Sequence, residues 1–118
     1  MKFSLLLFIL FQKIKRAART NKAYQSYIKT MEAKILIKTA DGKRGRMFIF
    51  DRGKVSSLRG DQSGFSAALI WSDAAVAFKV MASGSDEASF HAAAQGKLKV
   101  EGQPFFIQWF TDGVKLIM

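Results

Sequence analysis

The sequence predicts an α+β domain, with an N-terminal helix and further helices packed on one face of a five-stranded, mostly antiparallel sheet. Composition indicates a folded core, because 49% of the 118 residues are hydrophobic and 11 are phenylalanine. Alternating or wholly apolar runs separated by Gly-containing turns fill the middle of the chain and predict strands. Apolar runs that begin after Ser or Asp and end at Gly predict helices nearer the C-terminus.

Residues 1–30 predict a basic, apolar helical arm. They carry seven Lys or Arg and no acid, whereas residues 31–118 supply only +3 of the net charge of +10. A signal peptide is disfavoured because four cations follow the apolar run Phe3–Phe11, where a small-residue cleavage site would stand. A membrane-spanning helix is disfavoured because a nine-residue run is too short to cross a bilayer.

Two interpretations of the arm remain open, and they are compatible. The helix packs on the body of the protein and its cations are simply solvated, or it lies in a membrane interface. In the second case Leu and Phe enter the lipid boundary while the cations meet anionic headgroups. This interpretation assigns membrane contact to eight residues: Leu5, Leu6, Phe8, Ile9, Lys13, Lys15, Arg16 and Arg19.

Four consecutive antiparallel strands are predicted after the arm. Residues 32–39 alternate as a half-buried strand, with Leu36 on the wetter face. The Asp-Gly pair at 41–42 predicts a hairpin. It leads to residues 46–51, whose two faces are both apolar, as in a central strand covered on two sides.

The remaining elements follow from turn and cap residues. The third strand is predicted at 55–59, and the fourth at 65–71 with Phe65, Leu69 and Trp71 on one face. Next we expect helices at 74–83 and 86–95, a fifth strand at 97–101 and a terminal helix after Pro104.

The chain offers little of the chemistry that enzymes use. His91 is the single histidine, cysteine is absent, and the nine acidic residues show no pairing typical of acid–base or metal sites. The glycines mark turns and form no phosphate-binding pattern before a helix. We therefore predict a protein that is not an enzyme and has no cofactor or metal. Nucleic-acid binding is disfavoured because the arm's cations alternate with Leu, Phe and Ile.

The terminal helix is apolar on nearly every side, so it must contact the core, a lipid-like ligand, a second subunit or a membrane. Ordinary core packing explains each aromatic residue singly, but the group exceeds what one sheet face can cover. A bound apolar chain would bury the excess. The candidate ligand-binding residues are Phe65, Leu69, Trp71, Phe78, Met81, Phe90, Leu98, Val100, Phe105, Phe106, Trp109 and Phe110.

The sequence GKLKVEG at 96–102, between a helix ending Ala94-Gln95 and an apolar helix, resembles the closing motif of the sterol carrier protein type-2 family. The order of the elements upstream is also similar. The resemblance covers residues 32–118 and implies a five-stranded sheet with helices that enclose an apolar tunnel. It implies noncovalent binding of fatty acyl chains, sterols or isoprenoid lipids, and some bacterial relatives are accessory factors for prenylated quinone synthesis.

These observations predict a small lipid-binding and lipid-transfer protein without catalysis. We expect a single domain overall, in which the arm at 1–30 precedes a sterol-carrier-like lipid-binding region at 31–118. The expected partners are a lipid or fatty-acyl ligand and an anionic membrane surface, with a homodimer or an enzyme partner also open. We expect a cytoplasmic location with peripheral membrane contact. The alternative is an accessory or scaffold subunit of a membrane-associated lipid or quinone biosynthesis complex.

Overall fold

The computed structural model describes residues 2–117, so Met1 and Met118, which end the predicted ranges 1–30 and 31–118, lie outside the described residues. The described chain forms five helices and five strands. In order they are α1 (Lys2–Thr20), α2 (Lys22–Ile28), β1 (Glu32–Thr39), β2 (Gly45–Asp51), β3 (Lys54–Arg59), β4 (Ala67–Trp71), α3 (Ala74–Ser83), α4 (Asp86–Ala94), β5 (Leu98–Gly102) and α5 (Pro104–Lys115).

The five strands form one mixed sheet in the order β3-β2-β1-β4-β5. Three of the four pairings are antiparallel, and β1 pairs with β4 in parallel. The α+β class and the mostly antiparallel sheet are confirmed, but the expected antiparallel run of the first four strands is wrong. After the edge strand β3, the chain crosses back over the sheet and adds β4 beside β1, on the side away from β2. Ile37 of β1 is there the register partner of Leu69 of β4.

The helices pack on one face of the sheet and form the main core with it. In α1 the buried positions recur every three or four residues, which gives a single apolar stripe toward the sheet. These residues are Phe3, Leu7, Leu10, Phe11, Ile14 and Ala17. The arm is two helices, because Asn21 ends α1 and accepts a hydrogen bond from the Tyr24 backbone N–H at 3.1 Å to start α2.

The opposite face of the sheet carries a second, smaller core. Leu36 is fully buried there with Met47, Ala68 and Ile70, so its predicted wetter position is wrong. Phe65 packs against this same cluster, and the prediction that it shares a face with Leu69 and Trp71 is also wrong, because β4 begins only at Ala67.

The connection from β3 to β4, residues 60–66, explains how the second core is covered. Its first half is held near the end of β1 by an ion pair of 3.2 Å between Lys38 and Asp61. Its last residue, Ser66, donates its backbone N–H to the Lys34 carbonyl at 2.8 Å near the start of β1. The segment is therefore attached near both ends of β1, and its Phe65 packs against the second core.

Gly102, which closes the GKLKVEG motif, is required by its backbone and its surroundings. Its φ of +78° is a conformation that L side chains rarely adopt. A Cβ atom at this position would lie 2.9 Å from the Ala67 Cα. The motif thus ends β5 against the start of β4, the strand with which β5 pairs.

Candidate functional site

The candidate site is an apolar pocket of about 210 Å³ on the helical face of the sheet. β1, β4 and α1 contribute the inner residues, and α3, α4 and α5 surround the opening. The lining residues are Leu10, Ile37, Leu69, Val80, Met81, Gly84, Ser85, Asp86, Ser89, Phe110, Thr111, Val114 and Lys115.

The wall formed by the sheet depends on the parallel pairing of two strands. Ile37 of β1 and Leu69 of β4 are direct register partners, so their side chains stand together on the helical face. Ile37 is fully buried, whereas Leu69 is only partly buried. This exposure of an apolar side chain within the sheet marks the place where the helices do not close over it.

Helix α3 supplies Val80 and Met81 from its last turn. The helix begins at Asp73, whose carboxylate accepts the Val76 backbone N–H at 2.8 Å. It ends at Gly84, which has a φ of +65° and so allows the chain to turn directly into α4. The short turn leaves the rim of the pocket between the end of α3 and the start of α4.

Helix α5 is fixed on two sides. The ring of Phe110 is buried, with its centroid 5.3 Å from that of Phe48. On the other side the Tyr27 hydroxyl donates to the Trp109 carbonyl at 2.6 Å, and the two rings stack with centroids 5.3 Å apart. Burial raises the pKa of Tyr27. Gly113 permits this close approach, because a Cβ there would meet the Tyr27 ring at 2.8 Å.

An ion pair spans the mouth of the pocket. Lys115 Nζ of α5 lies 2.7 Å from Asp86 Oδ2 at the start of α4. The hydrogen bond to Asp86 raises the pKa of the Lys115 ammonium, so this ammonium is charged at neutral pH. The other polar groups at the rim are the hydroxyls of Ser85, Ser89 and Thr111.

Three of the twelve predicted ligand-binding residues line this pocket: Leu69, Met81 and Phe110. Five others, Trp71, Phe78, Leu98, Phe106 and Trp109, contact the main core, and Phe65 lies on the opposite face of the sheet. Phe78 is half-buried beside Lys2, whose ammonium lies 5.9 Å from the ring centroid. The remaining three, Phe90, Val100 and Phe105, are exposed at 73%, 45% and 62%.

Sequence reasoning missed most of the pocket wall, including Leu10, Ile37, Val80 and Val114. Periodicity marks Ile37 as buried, but no local pattern shows that β1 lies beside β4. The rim residue Asp86 was recognised only as part of a helix start. Its pairing with Lys115 joins residues 29 positions apart, and no local pattern indicates such a contact.

The outer face of α1 carries the predicted membrane-contact residues. Leu5, Phe8 and Ile9 are exposed and Leu6 is half-buried, while Lys13, Lys15, Arg16 and Arg19 are exposed farther along the helix. The opposite face of α1 is buried in the main core. No helix in the described part of the chain is both long and apolar enough to cross a membrane.

The described residues contain no group of three or more His, Cys, Asp or Glu side chains that could hold a metal ion. His91 is exposed on α4, outside the apolar pocket. The buried indole N–H of Trp71 has no hydrogen-bond partner in residues 2–117. The apolar pocket is thus lined by hydrophobic side chains, and its polar groups lie at the rim.

The element order and sheet topology define a sterol-carrier-like α+β fold, and solved structures confirm the predicted resemblance at the level of the fold. The UbiJ-SCP2 ubiquinone synthesis protein matches with a TM-score of 0.68 and 16% identity, over 98% of this chain and 95% of that chain. Sterol Carrier Protein 2 from Yarrowia lipolytica, in its apo form, matches with a TM-score of 0.58 and 19% identity, over 92% and 89%.

Sterol Carrier Protein 2 Like 2 from Aedes aegypti also matches, with a TM-score of 0.55 and 15% identity over 90% of this chain and 94% of that one. No known protein-family model matches the chain, and no curated protein is significantly similar to it in sequence. Identities below 20% establish similarity of fold, and the function must be argued from the site.

Proposed function

We propose that the protein binds an apolar lipid noncovalently in the pocket between the sheet and helices α3, α4 and α5. The observation that carries this proposal is the pocket wall, which Ile37, Leu69 and Met81 line together, while the titratable groups Asp86 and Lys115 are paired with each other at the rim. Each CH₂ group removed from water contributes about 0.8 kcal/mol, so about six methylenes would contribute about 5 kcal/mol. Methionine suits such a wall because its flexible side chain adapts to different chains.

The size of the pocket favours a linear chain over a rigid ring system. Its volume of about 210 Å³ is below the roughly 300–1,000 Å³ of sites for drug-sized ligands. A fatty-acyl or isoprenoid chain can place one segment there and leave its polar end at the rim. Accommodating more of the chain requires α5 or α4 to move outward, which separates Asp86 from Lys115.

We also propose that binding proceeds without catalysis and at a membrane surface. The rim offers hydroxyls and one carboxylate, and this carboxylate is paired with Lys115 instead of being free to act as a general base. The exposed Leu5, Phe8 and Ile9 of α1 would enter the lipid boundary while the cations later in the helix meet anionic headgroups.

Titration with a fluorescent fatty acid tests lipid binding. We expect saturation at one fatty acid per chain and displacement by an unlabelled acyl chain. No saturable signal with fatty-acyl or isoprenoid probes would refute the proposal.

A second candidate function is that of an accessory subunit in lipid or quinone biosynthesis. The similarity to the UbiJ-SCP2 ubiquinone synthesis protein over almost the whole chain favours it, as do the exposed side chains of Phe90, Val100 and Phe105. Light scattering after size-exclusion chromatography, combined with the titration, separates the two. A monomer that takes up lipid supports the carrier, whereas a larger species without uptake supports the subunit.

A further inference from the structure

A second cleft, of about 430 Å³, lies between the N-terminal half of α1 and the adjoining ends of β2 and β3. It shares no residue with the apolar pocket. Its chemistry combines two apolar side chains of α1 with cations from the β1–β2 turn and from strands β2 and β3. The apolar residues are Leu5 and Phe8, and the cations are Lys43, Arg44, Arg46 and Arg59.

Arg46 is held in one orientation by three contacts. Its Nη1 donates to the Ser57 hydroxyl at 2.8 Å. Its guanidinium carbon lies 5.6 Å from the ring centroid of Phe8 and 6.0 Å from that of Phe11. A guanidinium already fixed in this way loses little conformational freedom when it binds an anion.

Arg46 and Arg59 are direct partners across the β2–β3 pairing, so their like charges lie on the same face. Burial, and then the charge of Arg59, lower the pKa of Arg46. Such a pairing is unfavourable unless an anion compensates it.

The nearby acids do not supply this compensation. Within residues 2–117 no carboxylate forms an ion pair with any of the four cleft cations within 4.0 Å. Asp61, next to the cleft residue Gly60, pairs with Lys38 at 3.2 Å. Asp41 accepts hydrogen bonds from the Thr39 hydroxyl and the Lys43 backbone N–H, at 2.7 and 3.0 Å, and the charges of Lys43 and Arg44 lower its pKa further. Among the described residues, no acid forms an ion pair with Arg46 or Arg59.

We propose that this cleft binds a phosphate group carried on an apolar chain. Guanidinium groups bind phosphate oxygens through paired, charge-assisted hydrogen bonds, and the four cations that line this cleft form no ion pair within 4.0 Å with a carboxylate of residues 2–117. Leu5 and Phe8 border the same cleft and provide the surface along which the first part of the chain lies. The inference stands independently of lipid uptake by the apolar pocket, because the two sites have no common residue.

The test uses dodecyl phosphate below its micelle concentration, with dodecyl maltoside and inorganic phosphate as matched probes. The readout is the amide NMR signals of Gly45 and Gly60, which line the cleft and lie outside the apolar pocket. We expect dodecyl phosphate to shift both signals, inorganic phosphate to do so only at higher concentration, and the uncharged maltoside to leave them unchanged. Equal effects of the two detergents, or equal affinities for the two phosphates, would overturn the proposal.

The variant Arg44→Gln/Arg59→Gln identifies the cations that act. We expect it to bind dodecyl phosphate at least about tenfold more weakly, since two charge-assisted hydrogen-bonding groups are lost. The control Lys54→Gln/Lys99→Gln removes the same charge elsewhere. Lys54 is at the opposite end of β3, about 17 Å from Arg59 at 3.3 Å per residue, and Lys99 is on the opposite edge strand. If both variants lost the same affinity for dodecyl phosphate, the loss would be explained by net charge, and a specific site would be contradicted.

Vesicles distinguish the source of the phosphate. The protein is cosedimented with vesicles of phosphatidic acid or of phosphatidylcholine. Binding to phosphatidic acid vesicles alone, if it is lost in Arg44→Gln/Arg59→Gln, would identify a membrane headgroup as the source. Binding of dodecyl phosphate in solution without such cosedimentation would identify a dispersed amphiphile. Either result supports the cleft, whereas wild-type behaviour of Arg44→Gln/Arg59→Gln in both assays overturns it. Fatty-acid uptake measured on the same variant reports separately on the apolar pocket.

Discussion

Lys115 Nζ lies 2.7 Å from Asp86 Oδ2, and this pair joins α5 to α4 across the mouth of the apolar pocket. Both side chains are about half exposed, at 51% and 57%, so solvent screening leaves the pair with little effect on stability. Its position matters more than its strength. The contact must open whenever the two helices separate to admit a chain longer than the present pocket can hold.

The first prediction concerns this opening. We expect Asp86→Asn to raise the association rate of a fluorescent fatty acid, because one link between the helices is weakened. Stopped-flow fluorescence measures the rate, and thermal denaturation should show almost unchanged stability. The control is Asp112→Asn, which removes an exposed carboxylate of α5 that does not line the pocket. Equal rates in wild type and Asp86→Asn would show that the pair does not limit access.

The second prediction fills the pocket. We expect Met81→Trp to lower fatty-acid affinity at least tenfold, because the larger side chain occupies space that a ligand segment needs. Equilibrium fluorescence titration measures the affinity. The neighbouring exposed position supplies the control, since Ala82→Trp adds the same indole outside the pocket and should bind as wild type does. Full uptake by Met81→Trp would place the ligand elsewhere.

The third prediction concerns the anchor of α5. Tyr27→Phe removes the hydroxyl that donates to the Trp109 carbonyl but keeps the stacked ring. We expect the free energy of unfolding to fall by about 1 kcal/mol. Chemical denaturation measures this loss. Unchanged stability would mean that stacking alone holds α5 against α2.

The fourth prediction is a pH dependence from the β1–β2 turn. Hydrogen bonds from the Thr39 hydroxyl and the Lys43 backbone N–H lower the pKa of Asp41 below its ordinary 3.8. A carboxyl whose pKa is lower in the folded state stabilises the fold above its unfolded pKa, and this contribution is lost as the pH falls through the folded pKa. The melting temperature of wild type should therefore exceed that of Asp41→Asn at pH 5–7. The difference should begin to shrink at about pH 4, near the pKa of the unfolded carboxyl, and continue to shrink as the pH falls through the lower folded pKa. A constant difference across this range would contradict the assignment.

The fifth prediction tests the exposed face of α1. Leu5→Ser/Phe8→Ser should retain the fold, because both side chains are exposed, yet lose binding to anionic vesicles. Vesicle flotation measures the loss. Leu58→Ser/Phe90→Ser removes two exposed apolar side chains from other elements and should bind vesicles normally. Equal binding by both variants would argue against α1 as the contact.

Local signals in the sequence predicted the elements well. The Asp-Gly pair at 41–42 indicated the β1–β2 hairpin. Ser72 or Asp73 was the predicted cap of α3 and Ser85 that of α4, and the structure has Asp73 and Ser85 in these positions. The glycines at 84 and 96 follow the two helices as expected. These features are set by neighbours within four residues, which is why a single sequence reveals them.

The strand order could not be predicted in the same way. β4 pairs with β1 in parallel although β2 and β3 lie between them in the sequence, and residues 60–66, which lead from β3 to β4, form no helix or strand. Leu36 was expected on the solvent-exposed face of β1 because the alternation of residues 32–39 shows only that the two faces of the strand differ. It does not show whether other residues cover the more polar face. The burial of both faces depends on the segment 60–66 and on Phe65.

The candidate site depends on the same long-range pairing, so only part of it was predicted. The aromatic residues of the terminal helix predicted that α5 contributes to the site, and Phe110 does line the pocket. Phe105 of the same helix is exposed instead. Helix amphipathicity selects which residues of α5 are buried, and neighbouring elements decide where a gap remains. Ile37 and Leu69 form the pocket wall only because the parallel pairing puts them side by side.

Native mass spectrometry of the purified chain tests the central claim most directly, because it reports bound lipid and subunit number together. We predict a species with the mass of one chain plus a single lipid, either copurified or formed after incubation with a fatty acid. Met81→Trp should give only the mass of the chain. A wild-type protein that carries no lipid and acquires none from added fatty-acyl or isoprenoid chains would contradict the account.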